Sequence, residues 1–190
     1  RGFSTDIFEK KVLKKMLDGS KNLEMYQLAK KPSRKVFTLP LLRILGHEIA
    51  KKNWTEKRKQ VLWTACVVAF FGSLRAGEIL CKEKNFFRGD EDFLWSDVKF
   101  KDGFSVILRL KITKNKTQNG EFIDLFRNKE LKPCPVKCLE KLFSLKDTEV
   151  SLHSPVFAQS NSEFLTPAEL NFTIQEILGK YIGIGSLEYS

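Results

Sequence analysis

From Val61 to Phe71 the chain reads Val-Leu-Trp-Thr-Ala-Cys-Val-Val-Ala-Phe-Phe, which gives a helix almost no polar side to turn toward water. Such a helix must be buried, so the rest of the fold is constrained to cover it. Its limits are legible: Thr55 caps the start before Glu56, and Gly72 stops the helix after Phe71. The run falls well short of the ~20 apolar residues of a membrane span, and Trp63, Thr64 and Cys66 interrupt it. Just past the break stands Arg75, with Glu78 one turn later in a short helix that Ser73 is placed to cap. A guanidinium buried beside an apolar run is costly unless an anion meets it, and its planar fork suits a phosphate or a carboxylate. Taken alone, Arg75 and Glu78 read first as a surface ion pair on a helix, and only second as an anion site in a first turn with free backbone N–H groups.

Charge placement bears on the choice. The 190 residues carry a net charge of +10. Residues 1–60 hold 16 Lys/Arg against 6 Asp/Glu, whereas residues 61–190 hold 17 of each, so the excess lies in the first third. A polycationic end points to nucleic acid or an anionic membrane, the ordinary alternative being a solvated lysine-rich helix. No membrane span and no signal peptide are found, and Arg1 is a poor start for a natural product, so the chain is expected to be a fragment. Cys66, Cys81, Cys134 and Cys138 do not form a secreted disulfide framework in a chain this size. Cys134 and Cys138 lie four apart on a helix but lack two further ligands, since His47 and His153 are remote in sequence; no metal site is expected. The location expected is a reducing, intracellular one.

Along the chain, Ile7–Leu17 is an amphipathic basic helix, and residues 21–36 form a basic linker containing Lys30, Lys31, Arg34 and Lys35. Thr38 and Pro40 open a helix with Leu42, Leu45 and Ile49 inward. After residue 85 the period becomes strand-like over Phe93–Phe100, Phe104–Thr113 and Glu121–Phe126, with Asp102-Gly103 as a hairpin turn and Lys114–Gly120 as a longer polar tip. Helices return at Pro135–Leu145, with Cys138, Leu139 and Leu142 inward, and from Thr166-Pro167 to about Leu178. The fold class expected is α+β, mainly helical, with a small three-stranded antiparallel sheet.

A lysine on a hairpin tip can swing into a site and donate a proton to a leaving oxygen, although lysines also guard a hairpin from edge pairing. In order, the chain offers Gly72-x-x-Arg75-x-x-Glu78 after a buried helix, three strands with a Lys-x-x-x-x-x-Gly hairpin, a Cys-Pro-x-x-x-Leu helix and Pro155-Val156-Phe157 before a last helix. This order resembles the catalytic domain of tyrosine recombinases, the phage-integrase-like enzymes. The wording Ala69-Phe-Phe-Gly-Ser-Leu-Arg-Ala-Gly-Glu-Ile-Leu80 is most similar to recombinases of DIRS, Ngaro and Crypton mobile elements. The resemblance runs from about Thr38 to Ser190. Residues 1–20 are similar to the last helix of a preceding core-binding domain of SAM-like type.

The resemblance implies a DNA breaking-rejoining domain for DNA recombination and integration, incomplete at its C-terminus. Residues 37–190 are then its N-terminal part and 21–36 the linker. A tyrosine attacks a phosphodiester to give a 3′-phosphotyrosine and a free 5′-hydroxyl, with no metal or cofactor. Arg75 corresponds to the first of two arginines that stabilise the phosphorane, and Glu78 to the acidic residue supporting it. Lys114 best matches the general-acid lysine, with Phe122 eight residues on; Lys116 is the alternative, and Lys111, placed in the second strand, fits less well. Lys30, Lys31, Arg34, Lys35 and Lys116 are the further DNA contacts expected. The implied partner is duplex DNA, with the intact parent a homotetramer on two sites, the fragment a monomer, and a nuclear location if the host is eukaryotic.

The second box, His-x-x-Arg or Lys-x-x-Arg after the helix at 167–178, does not occur in residues 179–190. Tyr26, Tyr181 and Tyr189 do not stand at the nucleophile's place, so this chain by itself is expected not to cleave DNA. Two other readings compete: a non-enzymatic DNA-binding module derived from a decayed or domesticated recombinase, and a helical protein that binds acidic partners through residues 1–60.

Overall fold

The computed structural model describes residues 37–111, 120–128, 132–146, 151–160 and 162–182. All lie in one unit that begins at Phe37. The expected helix at 7–17, the linker with Lys30, Lys31, Arg34 and Lys35, the tip residues Lys114 and Lys116, and Tyr26 and Tyr189 lie outside the described residues.

Five α-helices and a three-stranded antiparallel sheet make up the described part, a mixed α+β architecture. Helix α1 (Leu39–Lys51) takes Thr38 as its N-cap residue and Pro40 in its first turn, where a missing N–H costs nothing. It buries Leu42, Leu45 and Ile49 as the 3.6-residue period requires. Helix α2 (Glu56–Gly72) starts where the Thr55 hydroxyl accepts the Arg58 N–H at 3.3 Å. Its residues Val61, Leu62, Ala65, Val67 and Val68 are shut from solvent, so the all-round apolar helix is the centre of the core. Gln60 and Thr64 are buried polar residues in that helix, and both are satisfied. The Gln60 amide donates to Thr64 Oγ1 at 3.0 Å and to the Cys138 carbonyl at 3.2 Å, which the Thr64 hydroxyl also reaches at 3.2 Å.

That carbonyl belongs to α4 (Pro135–Ser144), which packs along α2 with Val136, Cys138, Leu139 and Leu142 inward. Helix α3 (Ala76–Ile79) is a single turn after α2, and α5 (Pro167–Ile182) packs on α1 and α3. The Thr166 hydroxyl caps α5 through the Glu169 N–H at 3.2 Å. The Glu169 carboxylate turns away instead to Gln159 (2.9 and 3.0 Å) and Arg58 (3.2 Å), tying the 151–160 loop and α2 to the helix start. Helix α5 extends four residues beyond the expected end near Leu178, and Lys180 in its last turn reaches Glu48 on α1.

The sheet runs in the order β1 (Val98–Lys101), β2 (Ser105–Leu110), β3 (Glu121–Phe126). Asp102 and Gly103, both at positive φ (+44° and +67°), make the tight β1–β2 turn that the sequence predicts. Val106, Leu108 and Leu110 face the core while Arg109, Phe122 and Phe126 face outward. The first strand is shorter than the expected Phe93–Phe100. Trp95–Asp97 coil into a 3-10 turn held by the Asp97 carboxylate on the Leu94 N–H at 3.0 Å, and Leu94 makes only a bridge to Pro155. A capping carboxylate three residues on outweighs the strand preference of Phe93, Leu94 and Trp95.

Candidate functional site

The turn out of α2 sets the position of Arg75. Ser73 adopts the left-handed conformation at φ +52°, and the Leu74 N–H returns to the Ala69 carbonyl at 2.9 Å, closing the helix. A Cβ on Gly72 would stand 2.9 Å from the Leu74 side chain, so glycine lets Leu74 fold against the helix end. Ser73 therefore ends α2 and does not cap α3, contrary to the expectation from sequence. Arg75 itself is the N-cap residue of α3, and its backbone N–H donates to Glu78 Oε2 at 2.8 Å. The other carboxylate oxygen, Oε1, accepts from the Arg75 guanidinium at 3.4 Å.

Glu78 thus holds Arg75 by backbone and side chain together, the carboxylate being 17% exposed and the arginine 58%. The guanidinium is not buried, so the cost of burial that singled it out does not arise, and the ion pair is formed. Among the described residues Arg75 has no other hydrogen-bond acceptor, which leaves the outer edge of its donor fork directed to solvent. Such an edge can take a phosphate or carboxylate oxygen while the carboxylate behind fixes the rotamer.

The strands that carry the lysine hairpin are described to Lys111 and from Gly120. Gly120 sits at φ +74°, and a Cβ there would lie 2.4 Å from the Leu110 carbonyl oxygen; only glycine fits. Lys111 lies just past β2, not inside it, and is occupied. Its ammonium donates to the Gly89 and Asp92 carbonyls at 2.8 Å each and meets Asp97 Oδ2 at 2.7 Å. Three donors with three acceptors leave no proton to spare, which removes Lys111 from the candidates for general acid. Lys114 and Lys116 keep their candidacy from the sequence alone. Sequence reasoning missed Asp97 as the anchor of the hairpin base; the available signal was an aspartate three residues after Leu94, a capping spacing inside an apolar run.

Elsewhere a buried carboxylate, Glu48 on α1, accepts from Lys180 at 2.6 Å and Lys51 at 3.0 Å. These partners, Lys180 foremost, with Lys51 and Tyr181, hold its pKa at about 2 against an ordinary 4.5. Burial pushes the thiols of Cys66, Cys81 and Cys138 up to about 12, so none offers a thiolate. Among the described residues no group of three or more His, Cys, Asp or Glu is placed to hold a metal. Among the same residues no helix is long and apolar enough to cross a membrane. No protein-family model matches the chain, and no curated protein matches it.

Proposed function

We propose that this chain supplies the first part of the catalytic domain of a tyrosine recombinase, acting on duplex DNA in recombination or integration. The observation that carries the proposal is Arg75, fixed by Glu78 directly after the buried helix α2 and followed in the chain by a three-stranded antiparallel sheet. In this role the exposed edge of the Arg75 guanidinium donates to a non-bridging oxygen of the scissile phosphate. The charge on that oxygen grows as the phosphorane forms, so the donor is worth more in the transition state than in the ground state. Glu78 is the positioning residue. Lys114, or Lys116, protonates the leaving 5′-oxygen, and Lys30, Lys31, Arg34 and Lys35 neutralise backbone phosphates. The attacking tyrosine and second arginine have no counterpart in residues 179–190.

Titration of a fluorescent duplex by the 190-residue chain over about 50–200 mM salt tests the partner. The affinity is expected to fall linearly on logarithmic axes, with a slope of several released ions. Arg75→Ala should reduce that slope by about one or less, because it removes a single phosphate contact. In a chain extended to carry the second box and the tyrosine, the same substitution should abolish covalent trapping on a nicked substrate. Salt-insensitive or absent duplex binding, or a covalent adduct from the 190-residue chain itself, refutes the proposal.

A further inference from the structure

At the opposite end of α2 from Arg75 lies a cavity of about 710 Å3 that the recombinase proposal does not use. The rise from Lys59 to Gly72 places the two ends about 20 Å apart along the helix. Three helices build it, each through one stripe at i, i+3, i+4, i+7. On α1 these are Arg43, Gly46, His47 and Ala50; on α2 they are Glu56, Lys59, Gln60 and Trp63. On α4 they are Cys134, which precedes it, then Lys137, Cys138 and Lys141. Each stripe spans two turns, about 10 Å.

The charges stand in rows at the rim. Lys59 pairs with Glu56 at 3.1 Å, the one carboxylate in the lining. Arg43 gives its Nε–H to the Lys132 carbonyl at 3.1 Å, and among the described residues Arg43, Lys132, Lys137 and Lys141 have no carboxylate partner. Between the rows apolar surface alternates with the polar side chains of His47, Gln60 and Asn128. Trp63 lies so close to α1 that a Cβ on Gly46 would stand 2.6 Å from its ring, and Ile49, Pro133 and Cys138 continue the surface. Four cations without a carboxylate partner among the described residues, bordering a partly apolar trough two helical turns long, call for a ligand with the converse pattern.

We propose that this groove receives an acidic amphipathic helix of a partner protein, its apolar side chains on the Trp63 floor and its carboxylates between the Arg43 and Lys137–Lys141 rows. The i, i+4 spacing of Lys137 and Lys141 matches carboxylates one turn apart on such a helix. A DNA backbone would satisfy the rim but leave the trough without apolar cover. The net charge of +10 makes a second copy of the chain a poor electrostatic match for this rim.

The probe is a fluorescein-labelled peptide of about 14 residues with leucines at i, i+3 and i+7 flanked by glutamates, set against a scramble of equal composition and a labelled duplex. With the 190-residue chain the patterned peptide is expected to bind at micromolar Kd, at least tenfold tighter than the scramble. Lys137→Glu/Lys141→Glu should weaken it at least tenfold. So should Ala50→Trp, which fills the groove from an exposed position without altering charge. Equal binding of peptide and scramble, or an unchanged Kd in either variant with unaltered melting, overturns the proposal. If the lysine variants instead weaken the duplex and not the peptide, the groove is a nucleic-acid contact and the proposal fails. Duplex affinity is read with a separate probe, so neither result depends on the fate of the recombinase proposal.

Discussion

Lys111→Met probes the anchor beneath the lysine hairpin. Methionine keeps an unbranched stem of similar length, so the perturbation removes the ammonium and little else. The Lys111 side chain is 12% exposed and the Asp97 side chain 2%, and the variant leaves Asp97 with the Leu94 N–H as its remaining donor among the described residues. Removing one partner of a buried pair costs about 3–5 kcal/mol, because the surviving charge stays desolvated. Loss of the bond to the Asp92 carbonyl falls within that range, and water replaces the donor at exposed Gly89. The control is Lys82→Met, which breaks a 2.6 Å pair with Glu91, shorter than Lys111–Asp97; the Lys82 side chain is 61% exposed. This variant should cost far less than Lys111→Met, because solvent screens an exposed pair. Urea unfolding at neutral pH reads both, and in thermal melts Lys111→Met should lower Tm by roughly 6–20 °C. Adding Asp97→Asn to Lys111→Met should recover part of the loss, since the orphaned charge is gone. If Lys111→Met costs no more than Lys82→Met, burial is not what gives this pair its weight, and the account of the hairpin base is wrong.

The carboxyl of Glu48 titrates at about 2 in the folded chain against about 4.5 in the unfolded one, so the unfolded state binds its proton first as pH falls. The stability it contributes is complete above about 4.5 and is lost between that pH and about 2; Glu48→Gln should flatten this acid limb in urea midpoints measured from pH 6 to 2.5. An unchanged limb would rule out the Lys180 and Lys51 contacts as its cause. Gly120→Ala forces a methyl into the Leu110 carbonyl at positive φ and should destabilise by more than about 1 kcal/mol, seen as a lowered Tm. Because Cys66, Cys81 and Cys138 titrate near 12 behind buried side chains, a thiol reagent at pH 8 should label them only as fast as the chain opens; immediate labelling of these three would contradict the packing.

Most of the helical frame could be read from the chain. The start of α1 and both limits of α2 follow from Thr38, Pro40, Thr55 and Gly72, residues that act through their own backbone or the next turn. The turn at Asp102-Gly103 is legible for the same reason, as is the glycine at 120 that closes the other hairpin. From Phe93 to Asp97 the apolar residues satisfy a strand pattern, while a single carboxylate contact decides for a 3-10 turn. At the candidate site, the pairing of Arg75 with Glu78 was visible from their spacing, but the exposure of the guanidinium was not. Whether a side chain beside an apolar run is buried depends on where the chain goes after Ser73, and a left-handed serine leaves no mark in a hydrophobic pattern.

By itself the sequence determined that one helix had to be enclosed, where it stopped, and that a charged pair followed at the stop. These are consequences of side-chain polarity and backbone freedom within a few residues. Tertiary structure alone decided that Lys111 is bound in three directions, that Glu48 is clasped from α5, and that three separated helical stripes meet as a basic trough with an indole floor. Each joins residues from 14 to over a hundred positions apart, as Asp97 and Lys111 or Glu48 and Lys180 show. Packing between elements distant in sequence brings them together, and no local pattern records it.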